Sequence, residues 1–264
     1  MNYKTIKLKV DGDGVAYLTL ARPEIHNAMS IELVRELRAA LRVIADNAKI
    51  RAVVVTGEGQ SFCAGGDLNW MKSIMGQSRA QRTAESSELA DLLYEFDHLP
   101  TAVIGRINGP ATGGGFGLTC ACDIAIGSTA ARFALTEAKL GLLPANIAPY
   151  VVRRLGLARS RRLGLGAKFV DAVEAERLGL LDRVEAPENL DRAVEEELGW
   201  ILGCPPSSVA ATKRLFDYVA NREPRDCMIY TADRLADAWE TDEAKEGIAA
   251  FLGKRAPAWK VKRG

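Results

Sequence analysis

The sequence is poor in the residues that build metal centres and disulfide frameworks. It has two histidines, His26 and His98, set far apart, and five cysteines (Cys63, Cys120, Cys122, Cys204 and Cys227) with no CxxC pair among them. Such an odd, unpaired set fits buried free thiols in a reducing cytosol rather than a disulfide scaffold, and no metal site is expected. No apolar run approaches the ~18–20 residues that cross a bilayer, so no membrane partner is expected. The first residues, MNYKTIKLKVDGDG, hold neither an apolar h-region nor a small-residue cleavage site. No secretory signal is read there, and the expected location is cytoplasmic. Charge of one sign is missing too: Lys+Arg 35 against Asp+Glu 34 leaves +1, without the basic excess that nucleic-acid binding uses. Internal repeats, low-complexity tracts and flexible linkers are not seen. What is there is a globular composition, 48% hydrophobic and 26% charged over 264 residues, which suits one large domain with or without a smaller appendage.

Strands and helices alternate through the first half. Residues 5–10 and 15–20 alternate around DGDG and read as a hairpin. Ser30 caps a helix reaching about Asn47, with apolar Ile31, Leu33, Val34, Leu37 and Leu41 on one face. The run RAVVVT at 51–56 fits a strand covered on both faces. A helix over 80–98 stops at Leu99-Pro100; strands follow at 101–107 and 122–126, with a short one at 132–135. From about Pro149 the pattern reads as helices only, over 171–180, 190–202, 207–219 and 242–252, punctuated by Pro149, Pro187, Pro205-Pro206 and Pro224. A strand-helix core over residues 1–200 and a helical region over 201–264 are expected.

Two stretches nearly free of side chains stand out: Cys63-Ala64-Gly65-Gly66-Asp67, and Asn108-Gly-Pro-Ala-Thr-Gly-Gly-Gly-Phe-Gly117. Each follows a strand and opens a helix. Neither is a phosphate loop, because GxxxxGK[ST] is absent and Leu118 and Cys120 break the GxGxxG spacing. A nucleophile elbow fails at Ser61, which lacks the following glycine. Either stretch alone is served by close packing of strand on helix. Together they can present two backbone N–H groups to one developing negative charge, as an oxyanion hole does, with a helix N-terminus adding positive potential.

With these motifs the chain resembles the crotonase superfamily of enoyl-CoA hydratases and isomerases. The likeness runs through Arg22-Pro23 with Asn27-Ala28, FCAGGDL, NGPATGGG, Cys122-Asp123-Ile124-Ala125, FALTEAKLGLLP at 133–144, AVEAERLG at 172–179 and AFLGKR at 250–255. The resemblance implies an α/β crotonase-like fold, a spiral core of ββα repeats with a helical C-terminal region used for oligomerisation, as trimer or hexamer. It implies an acyl-CoA thioester substrate with no separate cofactor, coenzyme A being part of the substrate. Gly66 and Gly114 match the residues whose N–H groups hold the thioester oxygen, and Ala64, Gly65, Asp67 and Leu68 are implied to line CoA or substrate. His26 lies in a loop that runs along CoA in the family, although a solvated loop histidine fits equally. Trp70 is a candidate for the acyl pocket. Phe251 and Lys254 match a pair placed against CoA, often a neighbouring subunit's; the rest of the tail, Arg255, Lys260, Lys262 and Arg263, is a charge run of the kind that usually ends in solvent.

Glu137, amid apolar residues in LTEAKLGLLP, matches a family position carrying a catalytic glutamate, and burial would raise its pKa toward neutrality. The family's two-carboxylate hydratases carry a second glutamate where this chain has Gly117. Asn146, just beyond Pro144, is a candidate for the missing water contact, or a turn residue. A bacterial branch that hydrates branched or glutaconyl-type enoyl-CoAs shares the glycine, together with strings resembling DLNWM and PANIAPYVV. Hydration of a short, branched or carboxylated 2-enoyl-CoA is therefore expected, with double-bond isomerisation by Glu137 alone as the alternative. Some relatives bind RNA instead; the near-neutral charge counts against that here.

Overall fold

An antiparallel hairpin opens the chain, as the alternation around DGDG predicts. β1 (Ile6–Val10) and β2 (Val15–Leu20) pair from Ile6↔Leu20 to Val10↔Ala16, and Asp11 closes the turn by accepting from the N–H groups of Asp13 and Val15. α1 (Ile31–Ala45) starts at Ser30, whose hydroxyl accepts from Leu33 N–H and so satisfies one of the orphan donors of the first turn. There follow β3 (Ala52–Gly57), α2 (Leu68–Met75), α3 (Arg79–Asp97), β4 (Ala102–Ile107), β5 (Ala111–Thr112), α4 (Gly114–Ala121), β6 (Ile124–Ser128), β7 (Arg132–Ala134), α5 (Ala148–Gly164), β8 (Val170–Asp171), α6 (Ala172–Leu178), β9 (Arg183–Glu185), α7 (Leu190–Leu202), α8 (Pro206–Val219), α9 (Pro224–Glu240) and α10 (Asp242–Leu252). The computed structural model describes residues 2–261; Lys262 and Arg263 of the basic tail lie outside the described residues.

The main sheet runs β1-β2-β3-β4-β6-β9, and every pairing after the first is parallel. Its central strands are covered on both faces. Val53, Val55 and Val103 pack with Leu33, Leu37 and Leu92 of α1 and α3. The alternate residues Ala52, Val54 and Ile104 pack on Leu190, Val194 and Leu198 of α7. This accounts for the unbroken apolar run RAVVVT, since each large side chain buried this way contributes roughly 1.5–3 kcal/mol. Cys63, Cys120, Cys122 and Cys227 are buried free thiols, and burial pushes Cys63 and Cys120 up to about 12. Among the described residues no helix is long and apolar enough to cross a membrane.

The expectation of helices alone after Pro149 is corrected. β9 completes the main sheet beside β6, and β8 joins β5 and β7 in a separate three-stranded sheet. Strands of two and three residues are too short to show a period of two. Pro149 and Pro224 open α5 and α9 rather than breaking helices, because the first turn has no use for the N–H that proline lacks.

Candidate active site

The two glycine stretches meet beyond the carboxyl ends of β3 and β4. Cys63 bridges Ala111 in parallel; the N–H groups of Phe62 and Cys63 donate to Pro110 O at 3.1 Å each, and Thr112 N–H donates to Cys63 O at 3.0 Å. The approach leaves no room for side chains. A Cβ on Gly115 would stand 2.3 Å from Cys63 O, and one on Gly65 3.1 Å from Thr112 O. Gly65 (φ +90°) and Gly113 (φ +50°) also take backbone conformations that glycine adopts without strain. Both functions proposed for such glycines therefore coexist: they pack loop on loop, and they leave two donors clear.

Those donors belong to Gly66 and Gly114. Gly66 is bridged to Met29 through its neighbours, with Met29 N–H donating to Gly65 O at 2.6 Å and Asp67 N–H to Met29 O at 2.8 Å. In such a parallel bridge the central residue's own N–H points the other way. Gly114 opens α4, so its N–H has no carbonyl one turn back. Neither N–H meets a protein acceptor among the described residues. Both glycines line one cavity of about 240 Å³.

The third component is Glu137. β7 ends at Ala134, whose carbonyl accepts from Gly113 N–H at 3.0 Å, and a single 3₁₀ turn, Glu137–Leu140, follows. A Cβ on Gly113 would lie 3.2 Å from Glu137 Oε1 and 3.6 Å from Gly65 Cα. The missing side chain is thus what lets the carboxylate sit beside the donors. Glu137 Oε2 is buried with no hydrogen-bond partner among the described residues. Burial raises its pKa, against a smaller lowering effect of its own backbone N–H. Met29, Trp70, Met71, Leu89 and Ile147 form apolar walls; besides Glu137, the polar side chains lining the cavity are Ser86, Thr136 and Asn146, and among the described residues no Lys or Arg lines it. Two free donors beside a carboxyl group whose pKa is raised by burial suit enolate chemistry on a carbonyl compound.

Comparison with known proteins agrees. The family model described as enoyl-CoA hydratase/isomerase matches residues 11–262. The chain belongs to the enoyl-CoA hydratase/isomerase family. A solved enoyl-CoA hydratase from Shewanella pealeana is similar at TM-score 0.93 and 33% identity, covering 97% of this chain and 96% of that one. Pseudomonas aeruginosa AtuE is similar at TM-score 0.94 and 39% identity, covering 98% of this chain and 100% of that one. Enoyl-CoA hydratase ACTT6 of Alternaria alternata is 30% identical over 248 residues, 93% of this chain and 81% of that one. The α/β crotonase-like fold expected from the motifs is the fold of this chain, and it is an enzyme of an acyl-CoA-binding family.

Within that fold the other expected site residues fall into two groups. Trp70 and Asn146 line the cavity with Gly66, Gly114 and Glu137; Trp70 is fixed there by donating from Nε1 to Glu85 Oε2 at 2.6 Å. Around Gly66, Ala64 is exposed and its N–H donates to His26 O at 3.0 Å. His26 itself is exposed, at φ +55°, with Nδ1 3.0 Å from Ser61 Oγ. Leu68 is exposed at the start of α2. Asp67 is buried with both carboxylate oxygens hydrogen-bonded. It accepts from Asn69 N–H at 2.8 Å and pairs with Arg22 Nη2 at 2.7 Å, while Arg22 Nη1 donates to Ala28 O. Burial pushes the Asp67 carboxyl up, but Arg22 and the helix N–H groups outweigh it and hold the pKa low.

Phe251 and Lys254 are not brought to this cavity within one chain. The tail after α10 is tied down where Arg51 Nη1 donates to Trp259 O at 2.9 Å. Arg51 precedes β3, whose six residues put roughly 20 Å between it and the glycine turns. Met29, Leu89, Ile147 and Ser86 also line the cavity, and sequence reasoning missed them. Ser86 follows no motif, and Ile147 lies in the PANIAPYVV string without a role being read for it; they are placed by the packing of α3 and α5.

Proposed function

We propose that the chain adds water to a 2-enoyl-CoA and forms the 3-hydroxyacyl thioester. The observation that carries this reading is the carboxylate of Glu137 lying against Gly113, next to the free N–H groups of Gly66 and Gly114. The thioester oxygen accepts from those two N–H groups. Glu137, ionised, takes a proton from water as the water oxygen bonds to C3; the double-bond electrons move to C2 and the thioester oxygen, giving an enolate. Glu137 then returns the proton to C2, so that H and OH have been added and the carboxylate is regenerated. Apolar walls with no Lys or Arg among the described residues that line them favour a short, branched, uncharged acyl group over a carboxylated one. The reading includes a homo-oligomer, trimer or hexamer, supported by the exposed Trp239, Phe251 and Leu252 on α9 and α10; sedimentation as monomer alone at micromolar concentration counts against that.

One observation favours isomerisation instead. Ile147 fills the space beside Gly117, so Glu137 is the only carboxylate lining the cavity among the described residues, and a single carboxylate is enough to move a proton between C2 and C4. A panel of 2-enoyl and 3-enoyl thioesters separates the readings. Hydration makes the conjugated absorbance of 2-enoyl substrates fall; isomerisation makes it rise from 3-enoyl substrates. A rise without any fall replaces the hydratase reading.

A further inference from the structure

Water that attacks beside Glu137 needs polar groups to hold it, and the α4 wall offers none. Gly117 has no side chain, and a Cβ there would stand 2.2 Å from Ile147 Cγ2. Ile147 is 3% exposed and lines the cavity, so that side is dry. The next residue back faces a different neighbour. Asn146 lines the same cavity and meets Ser86 of α3: Asn146 Nδ2 donates to Ser86 Oγ at 3.0 Å, and the same hydroxyl lies 3.3 Å from Asn146 Oδ1. A carboxamide has two N–H donors and an oxygen with two lone pairs. With one N–H engaged by Ser86, a donor and an acceptor remain, which is what a bound water requires. Thr136 also lines the cavity, but it makes no side-chain bond at the start of its 3₁₀ turn, and a freely rotating hydroxyl does not fix a water's direction.

Resting on the hydratase reading, we infer that Ser86 is a positioning residue: it holds the Asn146 amide, and Asn146 orients the attacking water toward C3. Ser86 touches no reacting atom and acts through Asn146. Two measurements on the full-length protein test this side by side. One is hydration of 2-enoyl-CoA; the other is exchange of the C2 protons of a saturated acyl-CoA with D2O. Exchange needs Glu137 and the two N–H donors but no water at C3.

Ser86→Ala is expected to lower hydration kcat by about tenfold, the scale of one hydrogen bond, with KM nearly unchanged and C2 exchange at the parent rate. Ser86→Thr, which keeps the hydroxyl, is expected to restore hydration. Asn146→Ala is expected to lose more hydration than Ser86→Ala, again with exchange retained. The inference is overturned if Ser86→Ala hydrates like the parent, or if hydration and exchange fall by the same factor, which would mean a distorted cavity. Should the parent hydrate no 2-enoyl-CoA at all, the hydratase reading and this one fall together. Normal hydration by the parent with an indifferent Ser86→Ala removes only the positioning role.

Discussion

The two carboxylates nearest the glycine turns live in opposite surroundings. Asp67 accepts from Arg22 and from the N–H groups of Asn69 and Trp70, and its pKa is held low. Glu137 has a buried oxygen with no partner among the described residues, and burial raises its pKa. The difference separates two tasks. A carboxylate whose two oxygens are both hydrogen-bonded is held as an anion and makes a good anchor for the loop carrying Gly66. A carboxylate denied those partners binds its proton more tightly than a free one, which suits proton transfer, and its buried, unpartnered oxygen is a burden on folding. Location comes from satisfied bonds, reactivity from an unsatisfied one.

The largest effect follows from the unsatisfied side. Glu137→Gln is expected to lose ~10²–10⁴ in kcat, the range of a positioned acid–base group, with acyl-CoA affinity nearly unchanged. It should also gain stability, and the sign depends on pH. Because the folded-state pKa of Glu137 lies above 4.5, the folded protein keeps a proton that the unfolded chain has released, so this residue destabilises increasingly as pH rises from about 4.5 through the raised value. The Tm of Glu137→Gln should therefore match the parent's in acid and exceed it at pH 8. Ordinary turnover, or a Tm gap independent of pH, would break the contrast with Asp67.

Removing a donor comes next. Gly114→Pro deletes one N–H and is expected to lose ~10²–10³ in kcat. The first position of α4 suits proline, and the nearest atom to an added Cβ is Met29 Sδ at 2.5 Å, the movable end of a flexible side chain. Gly114→Ala brings a Cβ to the same Met29 and keeps the N–H. If the alanine variant loses as much as the proline variant, crowding rather than the missing donor is responsible.

How much of this was legible in the sequence follows the same division. The turns and their glycines could be read because backbone on backbone permits almost nothing else: Gly65, Gly113 and Gly115 each have a neighbour that a Cβ would press. Long periodic elements such as α1 and the buried strands were legible for a similar reason. β9, with three half-buried residues, has no pattern of its own. α5 carries Pro149, which read as punctuation between helices, and is kinked at Gly156 (φ +74°). Glu137 was found by its motif, yet its missing partner is a property of the fold. Gly117 was visible as an absent glutamate, but nothing in the sequence said that Ile147 had taken the space.

A smaller effect tests the satisfied side. Arg22→Ala removes the partner of Asp67 and a donor to Ala28 O. Loosening the loop under Gly66 is expected to lower kcat by about tenfold, less than losing a donor outright. Stability should fall too, in the direction opposite to Glu137→Gln. Asp67 is depressed below 3.8 by its partners, so its contribution is present above that pH and lost as pH falls through the folded value. The Tm gap between parent and Arg22→Ala should accordingly narrow in strong acid, leaving the part due to the bond to Ala28 O. A gap independent of pH would mean that Arg22 does not stabilise the loop through Asp67.

The smallest effect on turnover is expected at Gly117, and it bears on whether the apolar wall is fixed. An alanine Cβ would come 2.2 Å from Ile147 Cγ2 and 2.7 Å from its Cβ, too close for either side chain to stay. Gly117→Ala should lose roughly 1–3 kcal/mol of stability by overpacking, while the fraction that folds retains near-normal kcat, since Gly114 and Glu137 are untouched. Ile147→Ala opens the same space and should restore part of the loss when combined with Gly117→Ala, a coupling that independent sites do not show. Gly117→Glu, by the same geometry, cannot place a second carboxylate without evicting Ile147, and should unfold more readily than it hydrates. If Gly117→Ala and Ile147→Ala destabilise additively, the contact between them is not what holds α4 against α5, and the dry wall opposite Asn146 must be kept by other residues.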